Sequence, residues 1–336
     1  MHKIDLQKYE IRTDMAIDLA EKNKNLGFLE SYENENIKVS WLKLDDKNNI
    51  GKKAGTYLTL EFSDITDDDY KKMVSKVFKE EFLKMLKQVG FNKNTKTLVV
   101  GLGNSKSTPD ALGPLVSEKV IVTKHFFDMG VSVEEKFSCV SCFSPGVTGA
   151  TGIETSDMIC GVVNKTNPDL LIVIDALASS SISRVNRSIQ VTDSGISPGS
   201  GIGNKRKEIS KQTIGVPVVV IGIPTVLDAA VIVSDTINYM LKNYAYNKKN
   251  SNRKISKLVN KPLNYLKKEV LASEEDKKTL LGLVGSLSEE ELINLTYEVL
   301  TPIGYNLMVT PKEVDFIIEK LSDVISYAIN NTLHNL

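Results

Sequence analysis

Between residues 97 and 243 the chain switches repeatedly between short apolar runs and longer segments with helical spacing, and this alternation constrains the fold more than any other feature. The apolar runs predict strands at residues 97–100, 137–143, 170–174, 189–192 and 216–221. Helical spacing predicts helices near residues 111–127, 156–166 and 225–243. Strands that alternate with helices form a largely parallel sheet covered by helices on both faces, so the sequence predicts an α/β fold.

Two regions before residue 91 have different patterns. Residues 37–41 and 58–62 alternate apolar and polar side chains across a Lys/Asn/Gly-rich connection, which predicts a β-hairpin. A helix is predicted to follow, with Thr66 as its N-cap and Gly90 at its end. Residues 1–30 lack a convincing apolar period, so we expect a tail that packs only conditionally.

Beyond residue 243 the sequence predicts a basic linker followed by helices. Residues 242–268 contain nine Lys or Arg and no Asp or Glu, which fits a solvated linker or a docking patch for an acidic partner. Capping-box spacing relates Ser288 to Glu291 and Thr310 to Glu313. A stripe of apolar side chains then follows at helical spacing: Val314, Ile317, Leu321, Val324 and Ala328. We expect these helices to cover the sheet or a neighbouring subunit.

The composition excludes several classes of function. The 336 residues include 42 acidic and 42 basic side chains, so the charge gives no reason to expect direct binding to nucleic acid or to an anionic membrane. The N-terminus lacks the apolar core of a signal peptide, and the longest apolar runs are too short to span a bilayer. We therefore expect a cytoplasmic protein.

Cysteine and histidine are too scarce for most metal sites. The three cysteines cannot form a disulfide framework, and Cys139 and Cys142, spaced three apart on a predicted strand, would point to opposite faces as structural thiols. The three histidines are His2, His125 and His334. A His-rich zinc site or a Ser-His-Asp triad is therefore not expected, and we predict neither a metal nor a cofactor.

The segment "GLGNSKSTPDALG" follows the first strand of the alternating region. Gly101 and Gly103 match the first half of a dinucleotide-binding motif, but Lys106 occupies the position of the third glycine, and the Lys-Ser/Thr of a phosphate-binding loop is missing. Pro109 and Asp110 begin the next predicted helix. On spacing alone, Asp110 either caps that helix or is presented for chemistry.

A second carboxylate bears on this choice. Asp175 directly follows the apolar run at 170–174, which reads as a buried central strand, and α/β folds place functional groups at the carboxyl ends of such strands. If the strands at 97–100 and 170–174 are neighbours, Asp110 and Asp175 lie in one crevice. Two carboxylates that share a proton can act as a base toward water and as an acid toward the leaving group, which predicts acyl hydrolysis.

Six segments together resemble the spore germination proteases: "YEIRTDMA", "GLGNSKSTPDALGPLV", "SPGVTGATGIET", "IDALAS", "DSGISPGSGIGNKR" and "MVTPKEVD". The resemblance extends through nearly the whole chain. It implies a three-layer α/β/α fold similar to that of the hydrogenase maturation proteases, to which the patterns above add an N-terminal hairpin and C-terminal helices. It also implies an atypical aspartic endopeptidase of the spore core, made as a homotetrameric zymogen, that degrades small acid-soluble spore proteins when germination begins.

The resemblance also assigns site residues. It places the catalytic pair on Asp110 and Asp175, and it implies self-cleavage between Asp14 and Met15, because the family cuts after an acid and before a hydrophobic residue followed by alanine. The family prefers another acid four positions before the cut, where this chain has Ile11, so a slow zymogen conversion is expected. In a glycine-rich loop, Lys205 and Arg206 are candidates for binding the acidic side chain of the substrate.

The sequence thus predicts a pro-segment at 1–14, a hairpin and helix at 15–90, a catalytic α/β core at 91–243 and a basic linker with C-terminal helices at 244–336. Two alternatives to the aspartic endopeptidase stay open. One is a metal-assisted endopeptidase of the hydrogenase-maturation type. The other is a non-enzymatic module that binds a nucleotide or an acidic partner through the glycine-rich loops or the basic segment.

Overall fold

The structure is a computed structural model that describes residues 13–22, 28–48, 50–202, 206–250, 271–300 and 307–336. These residues form two compact units. The larger unit comprises the described residues of Arg12–Leu227 together with Val309–Leu336. The smaller unit comprises the described residues of Asp228–Met308.

The described residues contain nine strands and eleven α-helices. The strands are β1 (Phe28–Asn34), β2 (Ile37–Leu44), β3 (Gly55–Glu61), β4 (Thr97–Gly101), β5 (Val140–Phe143), β6 (Leu170–Ser179), β7 (Ser188–Thr192), β8 (Val218–Asp228) and β9 (Met308–Val309). The helices are α1 (Ala16–Lys22), α2 (Asp68–Gln88), α3 (Leu112–Lys119), α4 (Lys124–Asp128), α5 (Thr148–Thr151), α6 (Thr155–Thr166), α7 (Lys211–Ile214), α8 (Ala229–Asn250), α9 (Glu274–Leu281), α10 (Glu289–Leu300) and α11 (Val314–Leu333).

The central sheet has the strand order β1-β2-β3-β7-β8-β6-β4-β5. The strands β8, β6, β4 and β5 are parallel to one another, as the alternating pattern predicts, and β7 runs antiparallel to β8. The predicted hairpin is present as β2 and β3, and it extends this sheet because β3 pairs antiparallel with β7. The α/β class is therefore confirmed, and the hairpin is part of the main sheet.

Helices cover both faces of the sheet, which gives three layers. On one face, α2, α3 and α11 bury one set of alternating strand residues, and the stacked rings of Phe78 and Phe82 lie at the centre with centroids 5.7 Å apart. On the other face, the intervening residues such as Leu171 and Val173 pack against α6 and α7, and α1 covers Leu42 and Tyr57 of the hairpin. Parallel strands buried on both faces require such continuous apolar sequences.

Some boundaries differ from the sequence prediction. The helix predicted at 111–127 is two helices, because the backbone N–H of Ile121 binds Asn330 and that of Thr123 binds Val140, which holds the intervening residues extended. The helix predicted from 225 begins at Ala229, because β8 continues to Asp228. The strand predicted at 137–143 begins at Val140.

The capping predictions have mixed outcomes. Asp67, not Thr66, caps α2, because its carboxylate accepts the Tyr70 N–H. Ser288 and Glu291 form the predicted capping box. The predicted box at Thr310 and Glu313 is wrong, because the Thr310 hydroxyl donates to the carbonyl of Thr225 and no side chain caps α11.

The predicted apolar stripe lies on α11, where Ile317 is partly buried and the other four residues are buried: Val314, Leu321, Val324 and Ala328. The prediction of a conditional tail is wrong for residues 13–20, most of which are buried, while residues 1–12 and 23–27 lie outside the described residues. Of the basic segment, residues 251–268 also lie outside them.

The smaller unit is helical. Tyr297 is fully buried, packs with Ala230 and Ile293, and donates a hydrogen bond of 3.0 Å to the carboxylate of Asp228. Among the described helices of the whole chain, none combines the length and the apolar character needed to cross a membrane.

Candidate active site

Asp175 lies in the middle of β6, at the point where its neighbour β4 ends. Gly101, the last residue of β4, pairs with Ile174, and the N–H of Leu102 donates to the Ile174 carbonyl at 2.8 Å. The sequence predicted a strand that ends at residue 174, but β6 continues to Ser179 beside β8. Asp175 is therefore held by a regular strand on one side and faces the end of a strand on the other, and only 6% of its surface is exposed.

Asp110 is placed by a tight turn that leaves β4. Gly103 has φ +114°, and a Cβ there would lie 2.0 Å from the Asp110 carbonyl oxygen, which instead accepts the Asn104 N–H at 3.0 Å. The Thr225 hydroxyl donates to the Pro109 carbonyl at 2.6 Å. Only glycine fits so close an approach at positive φ. The loop thus fixes the backbone on both sides of Asp110.

Asp110 does not cap the helix that follows it. The N-cap of α3 is Ala111, which makes no side-chain capping bond, and Asp110 ends the short 3-10 turn Thr108–Asp110. The capping interpretation is therefore not supported by the structure. The half-buried carboxylate of Asp110 has a pKa raised by burial, which outweighs the opposing hydrogen bond from the Asn104 backbone.

The two aspartates interact electrostatically. Burial raises the pKa of Asp175 well above its usual range, and the negative charges of Asp110 and Asp14 raise it further. Desolvation and neighbouring like charges both disfavour the ionised form of a carboxyl group. The pair therefore retains a proton at a higher pH than two separate carboxyl groups would.

The third carboxylate, Asp14, belongs to a segment that is bound against the end of β6. The Asp14 N–H donates to the Ala178 carbonyl at 2.9 Å, and the Ala178 N–H donates back to Asp14 Oδ2 at 3.0 Å. The Ser200 hydroxyl donates to Asp14 Oδ1 at 2.7 Å. A Cβ at Gly201 would lie 2.1 Å from Asp14 Oδ2, so glycine at this position makes room for the carboxylate.

The backbone of the same segment is also held by side chains. Gln190 on β7 binds it twice, because its Oε1 accepts the Ala16 N–H at 2.7 Å and its Nε2 donates to the Asp14 carbonyl oxygen at 3.2 Å. The Lys52 ammonium donates to the Thr13 carbonyl at 2.8 Å. Burial lowers the pKa of Lys52, and the charges of Asp14 and Asp18 oppose that shift.

Apolar contacts complete the binding of this segment. Met15 is fully buried and packs with Ile17, Leu177 and Ile196. Ala16, also fully buried, lies in the cluster that α1 forms with the hairpin. Each residue of Asp14-Met15-Ala16 is therefore held by a different kind of contact. Asp14 is held by hydrogen bonds, Met15 by an apolar cluster, and Ala16 by close packing that leaves room for a small side chain.

A buried ionic network lies directly after this segment. Arg184 binds Asp18 at 2.7 Å, Glu21 at 2.6 Å and Glu61 at 2.9 Å. Asp18 Oδ2 also accepts hydrogen bonds from the Thr13 hydroxyl, the Ser179 hydroxyl and the Ser180 N–H. The network anchors α1 to the end of β6.

The structure brings together Asp110, on the turn after β4, and Asp175, on the neighbouring strand β6, as the sequence predicts, and it adds Asp14 and further partners whose positions sequence reasoning did not predict. Gln190 alternates with apolar residues on β7, a pattern equally typical of a solvent-facing polar residue, so no signal in the sequence distinguishes it. Ser200 and Gly201 lie in the same glycine-rich loop as the predicted Lys205 and Arg206.

The two predicted basic residues have no observed role. Lys205 lies outside the described residues, and Arg206 is exposed.

No group of three or more His, Cys, Asp or Glu side chains within the described ranges could hold a metal ion. His334 is buried between Ser138 and Ile121, and burial lowers its pKa. The cysteines Cys139 and Cys142 are free and half-buried.

These features define the class of protein: an α/β protein with an acidic site where the strand β4 ends beside its parallel neighbour β6. The family model for germination proteases, Peptidase A25, matches residues 7–336. A germination protease of Bacillus cereus is 47% identical over 351 residues, which cover 99% of this chain and 96% of that protein. The chain belongs to the germination protease family and is therefore a protease.

Further relatives agree with this assignment. A germination protease of Bacillus licheniformis is 47% identical over 352 residues, covering 99% of this chain and 95% of that protein, and one of Bacillus mycoides is 46% identical over 351 residues. Among solved structures, a [NiFe] hydrogenase maturation protease, HycI, from Thermococcus kodakarensis aligns with a TM-score of 0.27 and 19% identity over 42% of this chain and 80% of that one.

Proposed function

We propose that this protease is made as a zymogen that cleaves its own Asp14–Met15 peptide bond, with Asp110 and Asp175 as an aspartic acid/base pair. The observation that carries the proposal is the binding of residues 13–16 at the end of β6, where the charge of Asp14 raises the pKa of Asp175. The hydrogen bonds to the Asp14 carboxylate from the Ala178 N–H and the Ser200 hydroxyl support the proposal that this segment is the first substrate.

The two carboxyl groups provide the chemistry of hydrolysis. The ionised aspartate takes a proton from a water molecule, whose oxygen forms a bond to the carbonyl carbon of Asp14. The bond from that carbon to the Met15 nitrogen then breaks, and the protonated aspartate gives its proton to the leaving nitrogen. The products are a carboxyl group on Asp14 and a free amine on Met15. The raised pKa values of both aspartates support this division of roles, because one proton must stay on the pair.

The contacts of residues 14–16 also suggest the specificity toward other proteins. The hydrogen bonds from Ser200 and Ala178 favour an acid before the cut, the contacts around Met15 favour a hydrophobic residue after it, and the close packing of Ala16 favours a small residue next. We propose small acid-soluble spore proteins as the substrates, in the spore core, with a homotetrameric enzyme. These assignments rest on family membership.

The test of this proposal is a time course of intact mass on the full-length chain. We expect the wild-type protein to lose residues 1–14, and Asp110→Asn and Asp175→Asn to stay full length while keeping the wild-type circular dichroism spectrum. Asp46→Asn, an exposed carboxyl in the β2–β3 connection, is the matched control and should cleave normally. Cleavage at the wild-type rate by either site variant would exclude the aspartic pair.

The same assay distinguishes the metal-assisted alternative. We expect exhaustive chelation to leave the cleavage rate unchanged, since the proposed chemistry needs only the two carboxyl groups. Loss of activity after chelation, with recovery on adding back a divalent cation, would favour the metal-assisted mechanism instead.

A further inference from the structure

Gln190 is a buried polar side chain whose two polar atoms are both committed to one short stretch of backbone. Only 5% of its surface is exposed. Its Oε1 accepts the N–H of Ala16, and its Nε2 donates to the carbonyl oxygen of Asp14. These two contacts lie on either side of the Met15 nitrogen, so the amide brackets the peptide bond between Asp14 and Met15.

The sheet places Gln190 in register with Asp175. Gln190 pairs with Gly222 on β8, and Gly222 pairs with Asp175 on β6, so the three residues form one row across three strands. Residues in one row project to the same face of a sheet, and two strand spacings separate their Cα atoms by about 10 Å. Gln190 and Asp175 therefore approach the bound segment from two sides of the same face.

The middle position of this row is a glycine for a steric reason. A Cβ at Gly222 would lie 2.3 Å from Cδ1 of Leu177, which packs against Met15. Glycine thus lets Leu177 lean across the row and support the residue after the cut. The frame that holds the bond is built on strands of the central sheet, and sites on strands are held more precisely than sites on loops.

We infer that Gln190 is a catalytic residue of the self-cleavage reaction, in which its Nε2–H stabilises the negative charge that develops on the Asp14 carbonyl oxygen. This inference rests on the proposed function. When water adds to the carbonyl carbon, the carbonyl oxygen becomes an oxyanion, and a fixed donor strengthens its hydrogen bond as that charge develops. Among the hydrogen bonds of the described residues, the one from Gln190 is the only one that the Asp14 carbonyl oxygen accepts. The Oε1 contact to Ala16 keeps the amide oriented so that Nε2 faces this oxygen.

Two substitutions separate the oxyanion role from simple clamping. Gln190→Ala removes both contacts, whereas Gln190→Glu keeps an acceptor for the Ala16 N–H and loses the donor when it is ionised. We expect Gln190→Ala to slow self-cleavage about 100- to 1000-fold, the usual effect of removing one oxyanion donor. Gln190→Glu should be slowed at least as much at neutral pH but recover toward the wild-type rate in acid, where the protonated carboxyl group again donates.

The measurements are the first-order rate of appearance of the chain that begins at Met15, across a pH series, and amide hydrogen exchange in the peptide that contains Ala16. Thr192→Val is the matched control. Thr192 is also a buried polar residue of β7, but its hydroxyl binds Ser194 rather than residues 13–16. Its rate should stay within threefold of the wild-type rate.

The results that would overturn the inference about Gln190 differ from those that would refute the proposed function. If Asp175→Asn blocks cleavage while Gln190→Ala cleaves at the wild-type rate, the inference about Gln190 is wrong and the proposed function stands. Equal slowing of both Gln190 variants at every pH, with equal loss of exchange protection at Ala16, would make the residue a clamp only and also overturn the inference. Cleavage by Asp175→Asn at the wild-type rate would instead refute the proposed function.

Discussion

Replacing Asp175 by Asn should stabilise the folded protein at neutral pH although it removes the proposed catalytic group. Burial raises the pKa of Asp175 in the folded state, and the charges of Asp110 and Asp14 add to that shift. The unfolded chain has an aspartate with a pKa of about 3.9. At neutral pH the folded state therefore either keeps a buried charge or takes up a proton that the unfolded chain does not bind, and both cost free energy relative to the unfolded state. Asparagine has nearly the same shape and carries no charge, so the substitution removes this cost.

The sign and the size of the pH dependence follow from proton linkage. As the pH falls through the raised pKa, the folded protein takes up a proton that the unfolded chain does not yet bind, so the free energy of unfolding increases. One extra bound proton gives a slope of about 1.4 kcal/mol per pH unit. This slope ends near the unfolded pKa of about 3.9, because below it both states are protonated. Asp175→Asn lacks this contribution, so its stability advantage should shrink steadily as the solution becomes more acidic.

The assay is urea denaturation of the wild type, Asp175→Asn and the exposed control Asp46→Asn at half-unit steps from pH 8 to pH 4. An intact-mass spectrum of each sample checks that the chain is still full length. We expect the difference in free energy of unfolding between Asp175→Asn and the wild type to change with pH at close to the linkage slope over part of this range. The Asp46→Asn control should follow the wild type throughout. A constant difference, or a wild type that loses stability relative to Asp175→Asn on acidification, would refute a raised pKa at Asp175.

Two further predictions concern the surroundings of the site. Arg184→Met should lower the free energy of unfolding by about 3–5 kcal/mol in urea denaturation, because it leaves the Asp18 carboxylate buried and unpaired; a loss below about 1 kcal/mol would contradict the network. Gly103→Ala should slow self-cleavage about 100-fold or more, because its Cβ would displace the Asp110 backbone, whereas Gly161→Ala, with nothing within 4 Å of its Cβ, should cleave normally; equal rates would show that the turn does not position Asp110.

Much of the fold could be predicted because strand and helix periodicity is a local property. The alternation after residue 97 predicted the strands of the α/β core, and the position of Asp175 after an apolar run made it a candidate site residue. Errors arose where distant partners decide the conformation. The break in the helix predicted at 111–127 depends on Asn330 and Val140, and no local pattern encodes those contacts.

The candidate site was predictable in its acids and not in its other polar groups. A carboxylate directly after a long apolar run is conspicuous, whereas Gln190 is an ordinary polar residue until its pairing across the sheet is known. The order in which the strands lie side by side brings Gln190 and Asp175 into one row, and that order is a property of the whole sheet. The role of residues 13–16 was likewise assigned by family resemblance, because their short helix α1 owes its burial to β6, β7 and the hairpin.

The arrangement of the sheet also has a consequence for the order in which the molecule can fold. The hairpin joins the rest of the sheet through the pairing of β3 with β7. Residues 57–61 therefore cannot complete their pairing until residues 188–192 are available. Helix α2 packs against α11, where Lys320 and Asp68 form an ion pair across 252 residues of chain. Contacts this far apart in sequence form late, because the loop between them must close first. A nascent chain on the ribosome thus cannot complete the main hydrophobic core until α11 has emerged.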